Sequence, residues 1–135
     1  MIKHLENTPQ CPSCEAKLLT AHPDLVEWFH VRVKPNFPTF HISWAWRGKE
    51  DQEKFVTEKR SKLHYPFSPH NKCDDRGKPC SMALDLFEQV GGKDFYPISM
   101  YHRIQELIEE HNDHIEWGGR WHTIGDSDHF QLELG

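Results

Sequence analysis

The spacing of apolar and polar residues predicts alternating helices and strands along the chain. The predicted helices are one that begins at Pro23 and ends before Pro35, one at 50–62, and one at 99–112 with Ser99 as its N-cap. The predicted strands are 39–46, 80–87, 114–117 and 130–134. This order indicates an α+β fold, in which helices pack on a small, mainly antiparallel sheet.

Two segments interrupt this pattern. Residues 1–22 are predicted to be irregular, because Pro9 and Pro12 disfavour a long helix there. Residues 63–79 form a long loop that contains several prolines and glycines. A loop of this length inside a compact domain is usually functional or disordered.

Composition narrows the classes of function. The chain has 135 residues, which suits one domain, and its formal charge of -5 argues against sequence-independent binding of nucleic acid. The first residues lack the apolar region of a signal peptide, and no window is apolar enough to cross a membrane. We therefore expect a monomer that is made in the cytoplasm, without membrane insertion, and that acts outside only if it is released.

Eleven histidines favour a metal site, because imidazole is the commonest metal ligand in proteins. His70 lies in the long loop, Asp85 lies in an otherwise apolar strand, and His129 begins the last strand. An ionised carboxylate among apolar neighbours is costly unless it is paired or binds a cation. Two imidazoles and one carboxylate suit catalytic zinc, which keeps one position open.

Asp126 stands three residues before His129, where it could serve as a base beside a metal ligand. The alternative is structural. Asp126 would then cap a turn, and His129 would be a hydrogen-bonded polar residue of the strand.

The four cysteines predict a second, structural zinc site. Cys11 and Cys14 form a C-x-x-C motif, and Cys73 and Cys80 would complete a set of four thiolates. Free thiols, disulfides or a redox pair remain alternatives.

Three short motifs together resemble a known family. They are Ser68-x-His70, Ala83-x-Asp85 and Asp126-x-x-His129. They are similar to motifs of the D-Ala-D-Ala carboxypeptidase and L-Ala-D-Glu peptidase family, zinc enzymes that include phage endolysins and share the hedgehog/DD-peptidase fold. The resemblance implies that His70, Asp85 and His129 bind zinc and that Asp126 is the general base.

The segment 42–52 is similar to the family's strand-to-helix segment, which implies that Arg47 contacts substrate and that Gln52 lies nearby. Trp121, in the C-terminal block, would line the cleft. One departure is the spacer 71–84, whose fourteen residues make it longer than is usual in the family. A thiolate clip through Cys73 and Cys80 would restore the spacing.

If that spacer does not bring His70 to the metal, His64 or His41 would replace it. Asp128 is a second departure, since an apolar residue or proline is common just before the last ligand.

We therefore expect residues 1–135 to form a single zinc peptidase domain that hydrolyses an amide bond in peptidoglycan stem peptides, as a carboxypeptidase or an endopeptidase. Arg47 would bind the oxyanion or a substrate carboxylate. One alternative is a zinc-binding interaction module of the same fold without catalysis. Another is a histidine-metal endonuclease, suggested by the C-x-x-C motif and by the later sequence 69–72.

Overall fold

The computed structural model describes residues 11–120 and 126–133, which form a five-stranded antiparallel sheet with packed helices. The helices are α1 (Pro12–Leu18), α2 (Pro23–Trp28), which continues through a π-helical segment (Phe29–Val33) into α3 (Lys34–Asn36), then α4 (Lys49–Thr57) and α5 (Ile98–His111). The strands are β1 (Phe40–Trp44), β2 (Ala83–Val90), β3 (Lys93–Phe95), β4 (Ile115–Trp117) and β5 (His129–Leu132). Short 3-10 turns lie at Pro69–Asn71 and Gly118–Arg120. The predicted α+β fold is confirmed.

The strand order is β1-β2-β5-β4, and β3 pairs with β2. The register places Asp85 opposite His129, and Leu84 opposite Phe130. Because side chains alternate between the two faces of a strand, Asp85 and His129 share one face while Leu84 and Phe130 share the other. One face thus carries the polar pair and the other carries core residues.

The core lies where α2 and α5 pack against the apolar face of the sheet. Trp28 of α2 contacts Phe130, with ring centroids 5.5 Å apart. Tyr101 of α5 is fully buried, and its hydroxyl donates a hydrogen bond to the Leu86 carbonyl at 2.6 Å. The helices therefore support strands β2 and β5 from behind, at the level of Asp85 and His129.

Helix α1 is the first difference from the sequence prediction, which made residues 1–22 irregular. Pro12 is compatible with the first helical turn, where a backbone N–H has no partner inside the helix. The Cys11 sulfur accepts a hydrogen bond from the Cys14 amide at 3.1 Å and caps this end. Helix α4 ends at Thr57 and not at residue 62, shortly before Lys59, whose φ is 61°.

Gly91 and Gly92 close a hairpin between β2 and β3. Both have positive φ, 59° and 76°, which favours glycine. Ser99 is not the N-cap of α5, because the helix begins at Ile98 with Pro97 before it. Among residues 11–120 and 126–133, no helix is long and apolar enough to cross a bilayer.

Candidate metal centre and cleft

Three predicted ligands, His70, Asp85 and His129, converge on the polar face of the sheet. Asp85 Oδ1 lies 3.1 Å from His70 Nε2 and 3.1 Å from His129 Nδ1. The two imidazole nitrogens lie 3.3 Å apart. All three residues are buried, with 2%, 7% and 4% of their surfaces exposed, so this group could bind a metal ion.

The other ring nitrogen of each histidine has a hydrogen-bond acceptor. His70 Nδ1 donates to the Ala45 carbonyl at 2.7 Å, and His129 Nε2 donates to Gln131 Oε1 at 2.8 Å. In the neutral tautomers that these bonds select, His70 Nε2 and His129 Nδ1 carry lone pairs directed at each other. Acceptors of this kind orient metal-binding histidines in known sites.

The distances and donor types fit zinc. Metal-ligand distances near 2.0–2.2 Å in a tetrahedral site place neighbouring nitrogen and oxygen ligands about 3.3 Å apart. Two lone pairs and one carboxylate oxygen at this separation repel each other unless a proton or a cation lies among them. The group would therefore offer three ligand atoms to a cation beside the cleft.

Charges within the group shift both pKa values strongly. Burial raises the pKa of Asp85, but the charge of His70 and the hydrogen bonds from both histidines outweigh it and hold that pKa far below its ordinary value. Burial lowers the pKa of His129, yet the hydrogen bond and charge of Asp85 raise it to about 9 in the metal-free protein. A metal ion binding here would have to displace a proton from His129 at neutral pH.

Local contacts explain how the long loop places His70. Ser68 Oγ accepts a hydrogen bond from the His70 amide, and the Ser68 amide donates to Asn71 Oδ1, which together form a capping box. The Arg47 amide donates to the His70 carbonyl at 2.8 Å, and Asn71 Nδ2 donates to the Arg47 carbonyl at 2.8 Å. The 3-10 turn is therefore held against the end of β1.

The long spacer after His70 folds back on itself as a hairpin. The Asp74 amide donates to the Lys78 carbonyl, and the Cys80 amide donates to the Lys72 carbonyl, both at 2.9 Å. The Met82 amide then donates to the Pro69 carbonyl at 3.0 Å, so the chain returns next to the 3-10 turn. Backbone hydrogen bonds restore the spacing, and the predicted thiolate clip is not needed.

The predicted set of four thiolates does not form a group among the described residues. Cys11 and Cys14 are joined as a disulfide beside His41, whereas Cys73 and Cys80 are free thiols. Burial raises the pKa of the Cys80 thiol, and the charge of Asp74 raises it further, which disfavours the thiolate that zinc requires.

The two substitute histidines lie elsewhere. His64 Nδ1 hydrogen-bonds Glu53 at 2.7 Å on the surface, and His41 lies beside the Cys11–Cys14 disulfide. Neither belongs to the group that His70 forms with Asp85 and His129.

Arg47 lies directly behind the metal-binding group, at 3% exposure. Its Nη2 donates to Asp85 Oδ2 at 3.2 Å, and its Nη1 donates to Gln52 Oε1 at 2.9 Å. The guanidinium carbon lies 3.9 Å from the centroid of the Phe55 ring, within cation–π distance. Within the described part of the chain, Arg47 Nε has no hydrogen-bond partner, so one donor remains.

Gln52 differs from its predicted role near substrate. Its side chain is fully buried, and its amide nitrogen donates to Ser61 Oγ and to the Leu63 carbonyl. Because its amide oxygen accepts from Arg47 and Asn71, Gln52 positions Arg47 and does not face the cleft.

Asp126 lies at the edge of the group. Its Oδ2 is 3.8 Å from His129 Nδ1, beyond hydrogen-bond distance, and its side chain is 42% exposed. A Cβ on Gly118 would lie 2.6 Å from the Asp126 carbonyl oxygen, so only glycine permits this close approach. Trp121 lies outside the described residues.

Asp128 is the residue that the sequence analysis treated only as a departure. Burial, with the charge of Asp85 and a hydrogen bond with Asp126, raises the pKa of Asp128 to about 8 in the metal-free protein. The raised pKa favours the protonated form of Asp128, which relieves repulsion between its carboxylate and the nearby charges of Asp85 and Asp126.

An open cleft of about 770 Å³ borders the group. Trp44 and Phe67 contribute apolar surface to its lining, and Arg60 and Lys62 contribute two cations. Phe67 is 70% exposed, which is high for a large apolar side chain. The cleft combines apolar surface, positive charge and buried metal ligands.

Gln131 is the site residue that the sequence analysis missed. It follows His129 by two positions in β5, so the two side chains lie on one face of the strand. The two-residue period of a strand could have identified Gln131, because a ligating histidine usually has an acceptor for its second nitrogen. The Ala45 carbonyl had no comparable signal, since a backbone contact leaves no side-chain pattern.

The chain is similar to a solved structure of a known enzyme. No family model matches the chain, and no curated protein matches it. The crystal structure of the L-Ala D-Glu endopeptidase ChiX of Serratia marcescens is similar, with a TM-score of 0.67 and 26% sequence identity over 90% of this chain and 86% of that one. The chain therefore shares its α+β fold with an L-Ala D-Glu endopeptidase, in agreement with the resemblance found in the sequence.

Proposed function

We propose that the protein is a zinc-dependent peptidase that hydrolyses an amide bond in the stem peptides of peptidoglycan. The observation that carries the proposal is the convergence of His70 Nε2, Asp85 Oδ1 and His129 Nδ1 within 3.3 Å of one another at the base of an open cleft. The similarity to an L-Ala D-Glu endopeptidase supports the same reaction class. Residues 1–135 would form a single peptidase domain that acts as a monomer.

His70, Asp85 and His129 would hold the ion. Zinc bound there supplies a Lewis acid, which polarises the scissile carbonyl and makes hydroxide available near neutral pH. The Ala45 carbonyl and Gln131 keep both imidazoles in the tautomer that binds a cation. Arg47 fixes the second oxygen of Asp85, so the carboxylate keeps its orientation.

Asp126 is the general base in this proposal. Its carboxylate lines the cleft, is partly exposed and lies 3.8 Å from His129 Nδ1, so the base stands beside the metal ligands on the side that substrate reaches. It would accept a proton from the attacking water and return it to the leaving amine. General acid–base catalysis of this kind typically contributes about 10²–10⁴-fold to the rate.

The composition of the cleft suits a stem peptide. Arg60 and Lys62 line it together with Phe67, so a peptide with free carboxylates and aliphatic side chains finds both charge and apolar contact. Arg47 also lines this cleft and would bind a substrate oxygen there. A protein with this substrate acts on the cell wall once it is released, as endolysins do.

Clearing of purified peptidoglycan tests the proposal. The zinc-loaded protein should lower the turbidity, the chelated protein should not, and added zinc should restore the rate. Asp126→Ala should abolish clearing while it still binds zinc. Zinc-loaded protein that releases no stem-peptide fragments, or clearing at an equal rate by Asp126→Ala, would contradict it.

The two alternatives predict different results. A zinc-binding interaction module would bind zinc at the same residues but would clear no peptidoglycan. A histidine-metal endonuclease would nick plasmid DNA, so a nicking assay with the same zinc-loaded sample separates it. The partly exposed Asp126 beside the metal ligands favours catalysis over the module.

A further inference from the structure

A second group of metal-type ligands lies at the N-terminal end of the described chain, where α1 meets β1. Cys11, Cys14 and His41 each place one ligand atom within 4.8 Å of the others. His41 Nδ1 lies 3.1 Å from Cys11 Sγ and 3.7 Å from Cys14 Sγ. Cys14 is fully buried and Cys11 is 9% exposed, so solvent has little access to the sulfurs.

The fold brings these residues together by covering an edge strand. Strand β1 is at the end of the sheet order, and α1 packs along it. The Ile42 amide donates a hydrogen bond to Cys14 Sγ at 3.4 Å, and the Cys14 amide donates to Cys11 Sγ at 3.1 Å. Each sulfur thus accepts one N–H, and such bonds strengthen when the acceptor becomes anionic.

We propose that the reduced cluster binds one Zn²⁺ through Cys11 Sγ, Cys14 Sγ and His41 Nδ1, and that the disulfide and the bound ion are alternative states of this site. A dithiol reductant supplies two electrons and two protons to the disulfide and becomes a disulfide itself. Zinc then displaces the two thiol protons into solvent. The fourth position of the ion is left to solvent.

The donor set and its spacing favour zinc. Thiolate and imidazole suit Zn²⁺ better than Mg²⁺ or Ca²⁺, which prefer oxygen ligands. Zn–S and Zn–N distances near 2.3 and 2.0–2.1 Å give a sulfur–nitrogen separation of about 3.5 Å in a tetrahedral site. In the disulfide form the two observed separations, 3.1 and 3.7 Å, lie on either side of that value, so zinc binding after reduction requires mainly that the two sulfurs move apart. Two thiolates also neutralise the ion, which lowers the cost of burying it.

The two states would hold the N-terminal helix differently. The disulfide joins only Cys11 and Cys14, three residues apart at the start of α1. An ion bound also by His41 would link α1 to β1, across a long sequence separation. We therefore expect zinc to raise the stability of the reduced protein at this end of the sheet.

Cobalt(II) titration of the reduced full-length protein tests the proposal, because thiolate ligands give a charge-transfer band that the His70–Asp85–His129 group cannot produce. Wild-type protein should gain this band, with a final intensity that corresponds to one thiolate-bound cobalt per chain once both ligand groups are filled, and zinc should remove it. Protein left in the disulfide form should show no such band. The band does not depend on hydrolysis, so its presence or absence tests this site separately from the proposed peptidase activity.

Two variants and one control locate the band. Cys11→Ser keeps a good helix cap, because a serine oxygen can accept from the Cys14 amide, and it should lose the band. His41→Phe keeps the ring packed against Phe87 and should weaken cobalt binding by at least about 100-fold, since even outer partners of a ligand are worth 10–100-fold.

The matched control is the double variant Cys73→Ser with Cys80→Ser, which should keep the band in full. The proposal is wrong if reduced wild-type protein gives no band. It is also wrong if Cys11→Ser keeps the band, or if the control loses it.

Discussion

The two ligand groups lie on the same sheet but are built for different tasks. The group of His70, Asp85 and His129 has only nitrogen and oxygen donors, borders a cleft of about 770 Å³, and has a partly exposed carboxylate beside it. The group of Cys11, Cys14 and His41 uses sulfur. Open coordination beside a base suits catalysis, whereas buried thiolates between a helix and a strand suit stabilisation.

The surroundings of the two groups differ in the same way. His70 and His129 each donate their second N–H to an acceptor, the Ala45 carbonyl and Gln131, so their lone pairs are fixed in advance. The sulfurs of the other group are bonded to each other and must be reduced before they can bind a cation. The first group is therefore oriented for metal and has only to release a proton from His129, while the second depends on its redox state.

The largest expected difference comes from removing a ligand in each group. His129→Ala should no longer bind one equivalent of zinc at the first site. Its rate of peptidoglycan clearing should fall to the detection limit. Cys11→Ser should leave clearing unchanged, because Cys11 is not among the described residues that line the cleft. Zinc content by atomic absorption, with clearing rates of the same samples, makes the comparison. Equal loss of clearing in both variants would mean that the two groups are not separate.

The next effect concerns the position of the base. A Cβ at residue 118 would lie 2.6 Å from the Asp126 carbonyl oxygen and 3.2 Å from the His129 Cβ, so Gly118→Ala must displace this loop. We expect clearing to slow by about 100-fold, the effect of a misplacement near 1 Å.

Gly92→Ala is the matched control for Gly118→Ala. It strains a turn with φ of 76°, and the added Cβ would have nothing within 4 Å. It should lower the melting temperature without a comparable loss of rate. Equal clearing rates for Gly118→Ala and wild type would mean that the position of Asp126 does not matter for catalysis.

A smaller effect is expected at Gln131. Gln131→Leu removes the acceptor of His129 Nε2 and should weaken zinc binding by about 10–100-fold, as measured by competition with a chelating dye. Gln131→Glu keeps an acceptor and should retain the affinity. If both variants bind zinc as wild type does, the tautomer of His129 is set by something other than residue 131.

The smallest effect is a dependence on pH. In the metal-free protein, the His129 pKa is raised from 6.5 to about 9, so its contribution to stability is complete below pH 6.5 and is lost as the pH rises through 9. Zinc needs the deprotonated ring, so its stabilising effect should grow over the same interval. Thermal melts with and without zinc between pH 6 and 9.5 measure both trends. Parallel curves at all pH values would contradict this assignment.

Much of the fold was accessible from sequence because it follows from periodicity. The apolar spacing of α2 and α5 and the alternation in β1 and β5 predicted these elements in the correct order. Helix α1 was missed because proline was taken to exclude a helix, although the first turn tolerates it. Strand β3 is three exposed residues with little apolar signal.

The candidate ligands were also predicted, but the contacts that hold them in position were not. His70, Asp85 and His129 were named from residue type and motif, and the structure brings them together. The hairpin that absorbs the long spacer depends on backbone hydrogen bonds, such as the one from the Cys80 amide to the Lys72 carbonyl, which leave no pattern in residue types. The same limit applies to the four cysteines, because neither the C-x-x-C motif nor their number shows which thiols lie close together in the folded chain.

Mass spectrometry of cell-wall digests tests the central claim most directly. Wild-type protein and Asp126→Asn, loaded with equal zinc, are incubated with the same purified peptidoglycan, and the soluble fragments are identified. We predict that wild-type protein releases stem-peptide fragments with one new amine and one new carboxyl group, and that Asp126→Asn releases them at least about 100-fold more slowly. Fragments cleaved only in the glycan, or equal release by the two proteins, would contradict the account.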